Sequence, residues 1–380
     1  MIKIRALLLP AAIVPLLAPR AASGQGCVAI RSFASCNPNA FTNSALHGKG
    51  FTLTTNYRYF KSFRHFVGTE EQPQRFSVVN PDGSIGNEVI NYVTQLNVGL
   101  TYDLNSRSAI TVVLPWTYNV RSSLYEHGSW AALRQRHNMR SAGIGDVRVS
   151  FNHWIFNPDS VSKGNLAVGA GIKLPTGNFN ARAFACNVGP DVNGDSIPDG
   201  EYRPVDQSIQ LGDGGFGFTL ELQGYMKLFG PVSGYLNAFY LFNPGETNDT
   251  RTYRETLSAA LKNESICSIP DQYMVRAGLN WTISKKAGLN LFAGGRLEGI
   301  PVKDVLGKSG GFRRPGYVLS LEPGMDWMKG RHDINVSVPW ALQRNRAISV
   351  TDKEMNRKGD AAFADYLINV SWSVRLAKAN

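Results

Sequence analysis

Twelve stretches of this chain alternate apolar and polar residues with a period of two, each lasting about 10–14 residues. They lie near 51–59, 90–102, 110–120, 147–155, 166–174, 216–228, 232–242, 273–283, 289–297, 317–327, 334–342 and 366–376. A period of two puts successive side chains on opposite faces of a strand, so each stretch has one oily and one polar face. Strands in soluble domains usually stop at about 5–6 residues, whereas about 9–11 tilted residues cross a bilayer. A soluble sandwich alternates in the same way, so the alternation needs a second criterion.

The connections supply it. Short links at Asn105–Ser108, Asn157–Gly164, Gly230–Val232, Ser284–Gly288 and Lys329–Arg331 take turns with long ones at 61–88, 121–144, 176–213, 243–271, 299–315 and 343–362. Short turns at one end and long loops at the other are the rhythm of a transmembrane barrel, whereas a sandwich has no reason to keep that asymmetry. Tyr57, Tyr59, Tyr102, Trp116, Tyr118, Trp327 and Trp340 fall near strand ends, where interfacial girdles sit. The expected fold is all-β: an antiparallel transmembrane barrel of about 12 strands, with long outer loops and short periplasmic turns.

Two features depart from the pattern. The stretch 232–242 is apolar on both faces, Tyr235, Phe239 and Leu241 against Leu236, Tyr240 and Phe242, so either set could face outward. The last strand ends at Leu376 and the chain closes on Ala377–Asn380 without a terminal aromatic.

Residues 1–26 combine basic Lys3 and Arg5, an apolar run over Ala6–Ala18 and small residues at Ala21, Ala22, Ser23 and Gly24. That is a secretory signal, too short to span a bilayer, with Pro10, Pro15 and Pro19 opposing a stable helix. Residues 27–48 then form a short periplasmic N-terminal segment and 49–380 the outer-membrane barrel. Gly24 stands where a lipobox requires Leu, so lipidation of Cys27 is not expected. Charged residues make up 18% of the chain and the net charge is +11. In an exported chain this balance suits outer-membrane lipid, lipopolysaccharide phosphates or anionic solutes better than nucleic acid. Four cysteines in that compartment suggest two disulfides, Cys186 with Cys267 at the rim and Cys27 with Cys36 as companion.

In a closed barrel the polar face turns inward. Arg58, Arg148, Lys173, Glu221, Lys227, Arg276, Arg296, Glu322, Asp326 and Arg375 are therefore the expected lumen-lining charges. Their mixed signs suggest ion pairs across the lumen that brace the wall and narrow a pore, and some also suit a selectivity lining. Asp191, Asn193, Asp195 and Asp199 place oxygen side chains at the first, third, fifth and ninth positions of a Ca²⁺-wrapping loop. Ser196 replaces the usual Gly and Tyr202 the closing Glu, so the affinity for Ca²⁺ should be weak. The histidines His47, His65, His127, His137, His153 and His332 form no H-E-x-x-H, and no G-x-S-x-G occurs, so no catalytic residue is expected. Arg134, Arg136 and Arg140 form a basic cluster suited to lipopolysaccharide phosphates.

Gly143-Ile-Gly145-Asp146-Val147, followed by Gly169-Ala-Gly-Ile-Lys173-Leu-Pro175-Thr-Gly177, resembles bacterial outer-membrane transporters of the "MetA pathway of phenol degradation" type. The close match covers about 35 residues, marking a strand entry and a strand exit, the latter closed by a Pro that cannot donate to a ladder. The resemblance implies an outer-membrane channel or transporter, with aromatic or other small organic solutes as its cargo. A membrane-embedded hydrolase and a structural barrel with a closed lumen are the competing readings. Loops 176–213 and 243–271 are the expected gates of the mouth.

Overall fold

The computed structural model describes residues 49–376, apart from 81–82, 125–135, 162, 187, 197 and 253–262. The signal segment and the periplasmic segment inferred for 1–48 lie outside the described residues.

In chain order the strands are β1 (Gly50–Val67), β2 (Glu70–Glu71), β3 (Ile90–Asp103), β4 (Ser108–Leu124), β5 (Arg136–Ile144), β6 (Arg148–Trp154), β7 (Gly164–Lys173), β8 (Arg182–Ala185) and β9 (Glu201–Pro204). There follow β10 (Gly217–Phe229), β11 (Val232–Phe242), β12 (Thr247–Arg251), β13 (Ile266–Ser268), β14 (Gln272–Ser284), β15 (Leu289–Ile300), β16 (Gly316–Lys329), β17 (His332–Ser337), β18 (Trp340–Arg346) and β19 (Ala361–Arg375), with a short helix α1 (Val350–Glu354) before the last. β5 and β6 together pair with β4, and β17 and β18 together pair with β16, so each couple forms one stave. The wall then has twelve antiparallel staves, and β19 returns to pair with β1 from Thr52↔Arg375 to Phe66↔Ala361. Closure gives every wall strand a partner on both sides, the condition under which strands survive in hydrocarbon.

Both interruptions sit opposite a proline. Pro115 in β4 has no N–H to offer, and the chain steps between β5 and β6 there, with the Gly145 N–H donating to the Pro115 carbonyl at 2.9 Å. Pro323 in β16 faces the step between β17 and β18, where the Val338 N–H donates to its carbonyl at 3.1 Å. The long strands absorb their prolines by breaking the neighbour.

The strands run further outward than the sequence reading placed them. The segment 121–144 is not all loop: β4 continues to Leu124 and β5 begins at Arg136. Likewise β1 reaches Val67, β18 reaches Arg346 and β19 starts at Ala361. The lipid pattern fades there because these outer ends rise above the apolar belt. That belt is continuous around the wall: Leu96, Val98, Leu100, Val112, Leu114, Phe151, Val168, Leu220, Leu279, Leu321 and Met325 are all exposed on the outside. Tyr57, Trp116, Tyr118 and Trp340 join them as exposed aromatics. On β11 the ambiguity resolves, since Tyr235, Phe239 and Leu241 are buried and point inward. Among the described residues no helix is long and apolar enough to cross a membrane.

Candidate functional site

The lumen is charged, and its charges are paired. Arg58 on β1 donates to Glu298 on β15 at 3.2 Å, across the barrel, and Arg296 donates to the same carboxylate at 2.6 Å. Glu322 on β16 receives Arg276 at 3.4 Å and lies 3.7 Å from Arg296. All five side chains are almost fully buried. A charge taken out of water is costly unless partnered, so alternating signs let this layer exist. Arg58 and Glu298 thus meet across the lumen, whereas Arg276, Arg296 and Glu322 pair among the neighbouring strands β14, β15 and β16. Beside this layer the Phe292 ring packs edge-on against Tyr235 at 6.0 Å. Gly324 makes room for that ring, since a Cβ there would lie 2.1 Å from it.

Above the layer the loop joining β7 to β10 dips into the mouth. Its 3-10 turn Gln207–Ile209 is capped by Asp206, whose carboxylate accepts from the Ser208 N–H at 2.9 Å. The Ile209 carbonyl accepts from Ser141 on β5 and from Asn119 on β4. Asp206 also binds Arg314, from the loop after β15, with Nη1–Oδ1 at 3.0 Å and Nη2–Oδ2 at 2.8 Å. Arg121 on β4 stands 3.7 Å from it. Burial alone would push this carboxyl up, but Arg121, Arg314 and the Ser208 donors overcome it and hold it at about 2. Gln207 Nε2 donates at 3.0 Å to both the Ser268 and the Phe312 carbonyls, so three outer loops meet at one turn.

The resemblance motif fastens that loop to the wall. Asp146 accepts from the Gly177 N–H at 3.0 Å and from the Asp213 N–H at 3.1 Å, joining the loop's departure to its return. Thr176 Oγ1 donates to the Gly145 carbonyl at 3.0 Å and accepts from the Val147 N–H at 2.9 Å. Gly177 and Gly212 are in backbone contact, where a Cβ on Gly177 would lie 2.8 Å from Gly212 Cα. Lys173 closes the clasp, bonded to Asp213 and 3.9 Å from Asp146. Between clasp and turn lies a cavity, open in part to solvent. Phe60, Val93, Pro115, Leu211 and Ile300 give it an apolar side, and Gln95, Thr117, Asn119, Gln207, Gln210 and Gln272 a polar one.

Of the remaining expected lumen charges, Asp326 is fully buried and accepts from Asn290 at 3.2 Å, and Arg375 binds Asp103 near the short-turn end. Arg148 lines the cavity with Glu221 as an opposing charge. Lys227 departs from the expectation: it is exposed at the turn end of β10, where the wall meets water. Asp191, Asn193, Asp195 and Asp199 form an exposed loop whose carboxylates already accept its own amides. Asp199 takes the Val192 N–H at 2.6 Å, and Asp191 takes Gly194 at 2.7 Å and Ser196 at 2.8 Å. Ser196 adopts φ 68°, the left-handed turn that Gly provides in cation-wrapping loops. Among the described residues no three acidic, His or Cys side chains gather closely enough to hold a metal. Cys186 follows β8 and Cys267 is buried in β13; no bond joins them among the described residues, and Cys27 and Cys36 lie outside those residues.

His65 Nδ1 bonds Asp360 at 2.8 Å while its Nε2 accepts the Val89 N–H, so both ring nitrogens serve packing. Ser108 Oγ lies 2.9 Å from His153 Nδ1, but no described carboxylate bonds that ring. His47, His127 and Arg134 lie outside the described residues. Arg136 turns inward to Glu88 and Arg140 is exposed midway along β5.

Sequence reading missed Arg121, Asp206, Asp213 and Arg314; it puts Glu298 on the polar face of its strand without counting it among the lumen charges. Arg121 occupies an inward position of its strand and follows from extending the alternation by one step. Asp206, Asp213 and Arg314 are loop residues, where no period exists to place them.

No family model and no curated protein sequence matches the chain. Among solved structures it is similar to an outer membrane channel from Pseudomonas putida F1, at 11% identity over 90% of this chain and 100% of that one, with a TM-score of 0.53. It is also similar to the P. putida toluene transporter TodX (10% identity, 89% and 93% covered, TM-score 0.44) and to the translocator domain of the autotransporter NalP from Neisseria meningitidis (13%, 89% and 93%, TM-score 0.39). The first of these shares the barrel fold. With its oily exterior and closed ladder, the chain is a barrel of the bacterial outer membrane.

Proposed function

We propose that this barrel is an outer-membrane channel for small organic solutes and that it performs no chemistry on them. The observation that carries this reading is the cavity inside the wall, roofed by an inserted loop and lined by apolar side chains on one side and amides on the other. A concave, largely apolar lining with a few placed polar groups is the usual form of a small-molecule site. Its apolar side suits a ring or short alkyl body, and its amides suit one hydrogen-bonding group, in keeping with the aromatic or organic cargo that the motif resemblance implies. The loop over it would act as the gate, and the Arg and Glu layer below would restrict free ion flow. Arg140, exposed midway along β5, would meet lipopolysaccharide phosphates.

Planar-bilayer recording of the purified chain with anions, cations and aromatic acids tests this reading. Low, gated conductance together with swelling of liposomes in small organic solutes supports it. A sealed barrel that admits none of them would leave the structural-barrel alternative.

A further inference from the structure

We propose that Asp213 sets the charge selectivity of the cavity, keeping it for uncharged organic solutes and closing it to anions. The inference rests on the channel reading and names its solute class.

The charged residues that line the cavity are Asp146, Arg148, Lys173, Asp213 and Arg314. Each cation is answered from within the wall or the loop. Arg314 is held by both oxygens of Asp206, with Arg121 on the far side of that carboxylate. Lys173 is bonded to Asp213, with Asp146 at 3.9 Å. Arg148 lies among the charges of Glu221, Asp213 and Asp146. Arg121, Arg148, Lys173 and Arg314 thus meet Asp146, Asp206, Asp213 and Glu221, and the lining with its partners is electroneutral. A charged solute entering such a space sheds its water and finds no unanswered counter-charge, a loss that a neutral molecule avoids. The amides of Gln95, Asn119, Gln210 and Gln272 remain to orient a hydroxyl or carbonyl group beside Phe60, Val93 and Ile300.

Within this balance Asp213 holds the pivotal place. Its carboxylate bonds Lys173 and accepts the Gly215 N–H at 2.9 Å, and its position depends on the inserted loop returning to Asp146. Removing its charge leaves Lys173 facing the cavity with only the more distant Asp146.

The test uses the full chain in detergent micelles with three probes of matched size, benzyl alcohol, benzoate and benzylamine, and equilibrium binding followed by ligand-observed NMR. Benzyl alcohol is expected to bind at least tenfold better than either ion. In D213N, benzoate is expected to gain at least tenfold relative to the alcohol, and in D213N/K173Q the original preference returns. Equal or better benzoate binding by the native chain, an unchanged ratio in D213N, or binding of none of the probes overturns the proposal. Binding is read without passage, so a protein that binds the alcohol but conducts nothing would defeat the channel reading and leave this one standing.

Discussion

Asp206 grips the Arg314 guanidinium with both carboxylate oxygens, at 3.0 and 2.8 Å, and so ties the loop after β7 to the loop after β15 across the mouth of the barrel. A bidentate pair of this kind fixes orientation as well as distance. It makes the roof of the cavity a jointed structure with one principal pin.

Replacing that pin is expected to open the mouth. In D206N the fork loses its charge, and Arg121 and Arg314 are left buried beside a neutral amide. Breaking a buried pair from one side typically costs about 3–5 kcal/mol. Planar-bilayer traces of the variant are expected to show longer or more frequent openings than the native chain, and unchanged traces would remove Asp206 from the gate.

The same carboxyl sets a pH dependence. Its folded value of about 2 lies below the ordinary carboxyl value of about 3.9. A depressed acid contributes stability that is complete well above its ordinary value and is lost as pH falls through the folded one. The contribution of this pin is therefore expected to be indifferent to pH between about 8 and 5 and to fade only toward about 2. Amide exchange of residues 205–211 across that range checks the direction.

Glu322 stands between Arg276 and Arg296 in the ionic layer. E322Q leaves three buried guanidiniums, Arg58, Arg276 and Arg296, with Glu298 as the one remaining acid of the layer, and should destabilise the barrel by about 3–5 kcal/mol. Urea unfolding in micelles should show a lower midpoint. E322Q/R276M should recover part of the loss, because an unpaired charge is removed with its partner.

The Phe292 ring occupies the space a side chain at Gly324 would fill. G324A is expected to displace the ring at a cost of about 1–3 kcal/mol, seen as a lower temperature for the shift in gel migration on heating. F292A in the same background should relieve the overcrowding, whereas equal loss in both variants would place the strain elsewhere.

For the 191–199 loop, Ca²⁺ must compete with backbone amides already bound to Asp191 and Asp199. Calorimetric titration is expected to show a dissociation constant in or above the weak range of about 10⁻⁴–10⁻³ M seen for extracellular modules. D195N should abolish what heat there is. Submicromolar binding would mean that the loop reorganises around the ion.

How much of this could be read from the residues follows from what kind of order each part has. Alternation along strands such as Leu96–Asn97–Val98 settled the fold, the wall's inner and outer faces and the mixed-sign lumen, because lipid and water impose opposite demands on neighbouring side chains. It also placed Arg58, Arg276, Arg296 and Glu322 inside. The pattern was silent on β11, where Tyr235 and Phe239 are as apolar as Leu236 and Phe242, and only packing against Gly278, Gly294 and Phe292 turned the first set inward. It was silent again on what pins the gate, although loop length marks 176–213 and 243–271 as gates. Asp206 meets Arg314 across 108 positions and Asp213 meets Lys173 across 40, and no local period links residues so separated. Their encounter is decided by the closed wall, which carries the ends of the long loops to one rim and leaves the space beneath as the place where those loops can bury their charges.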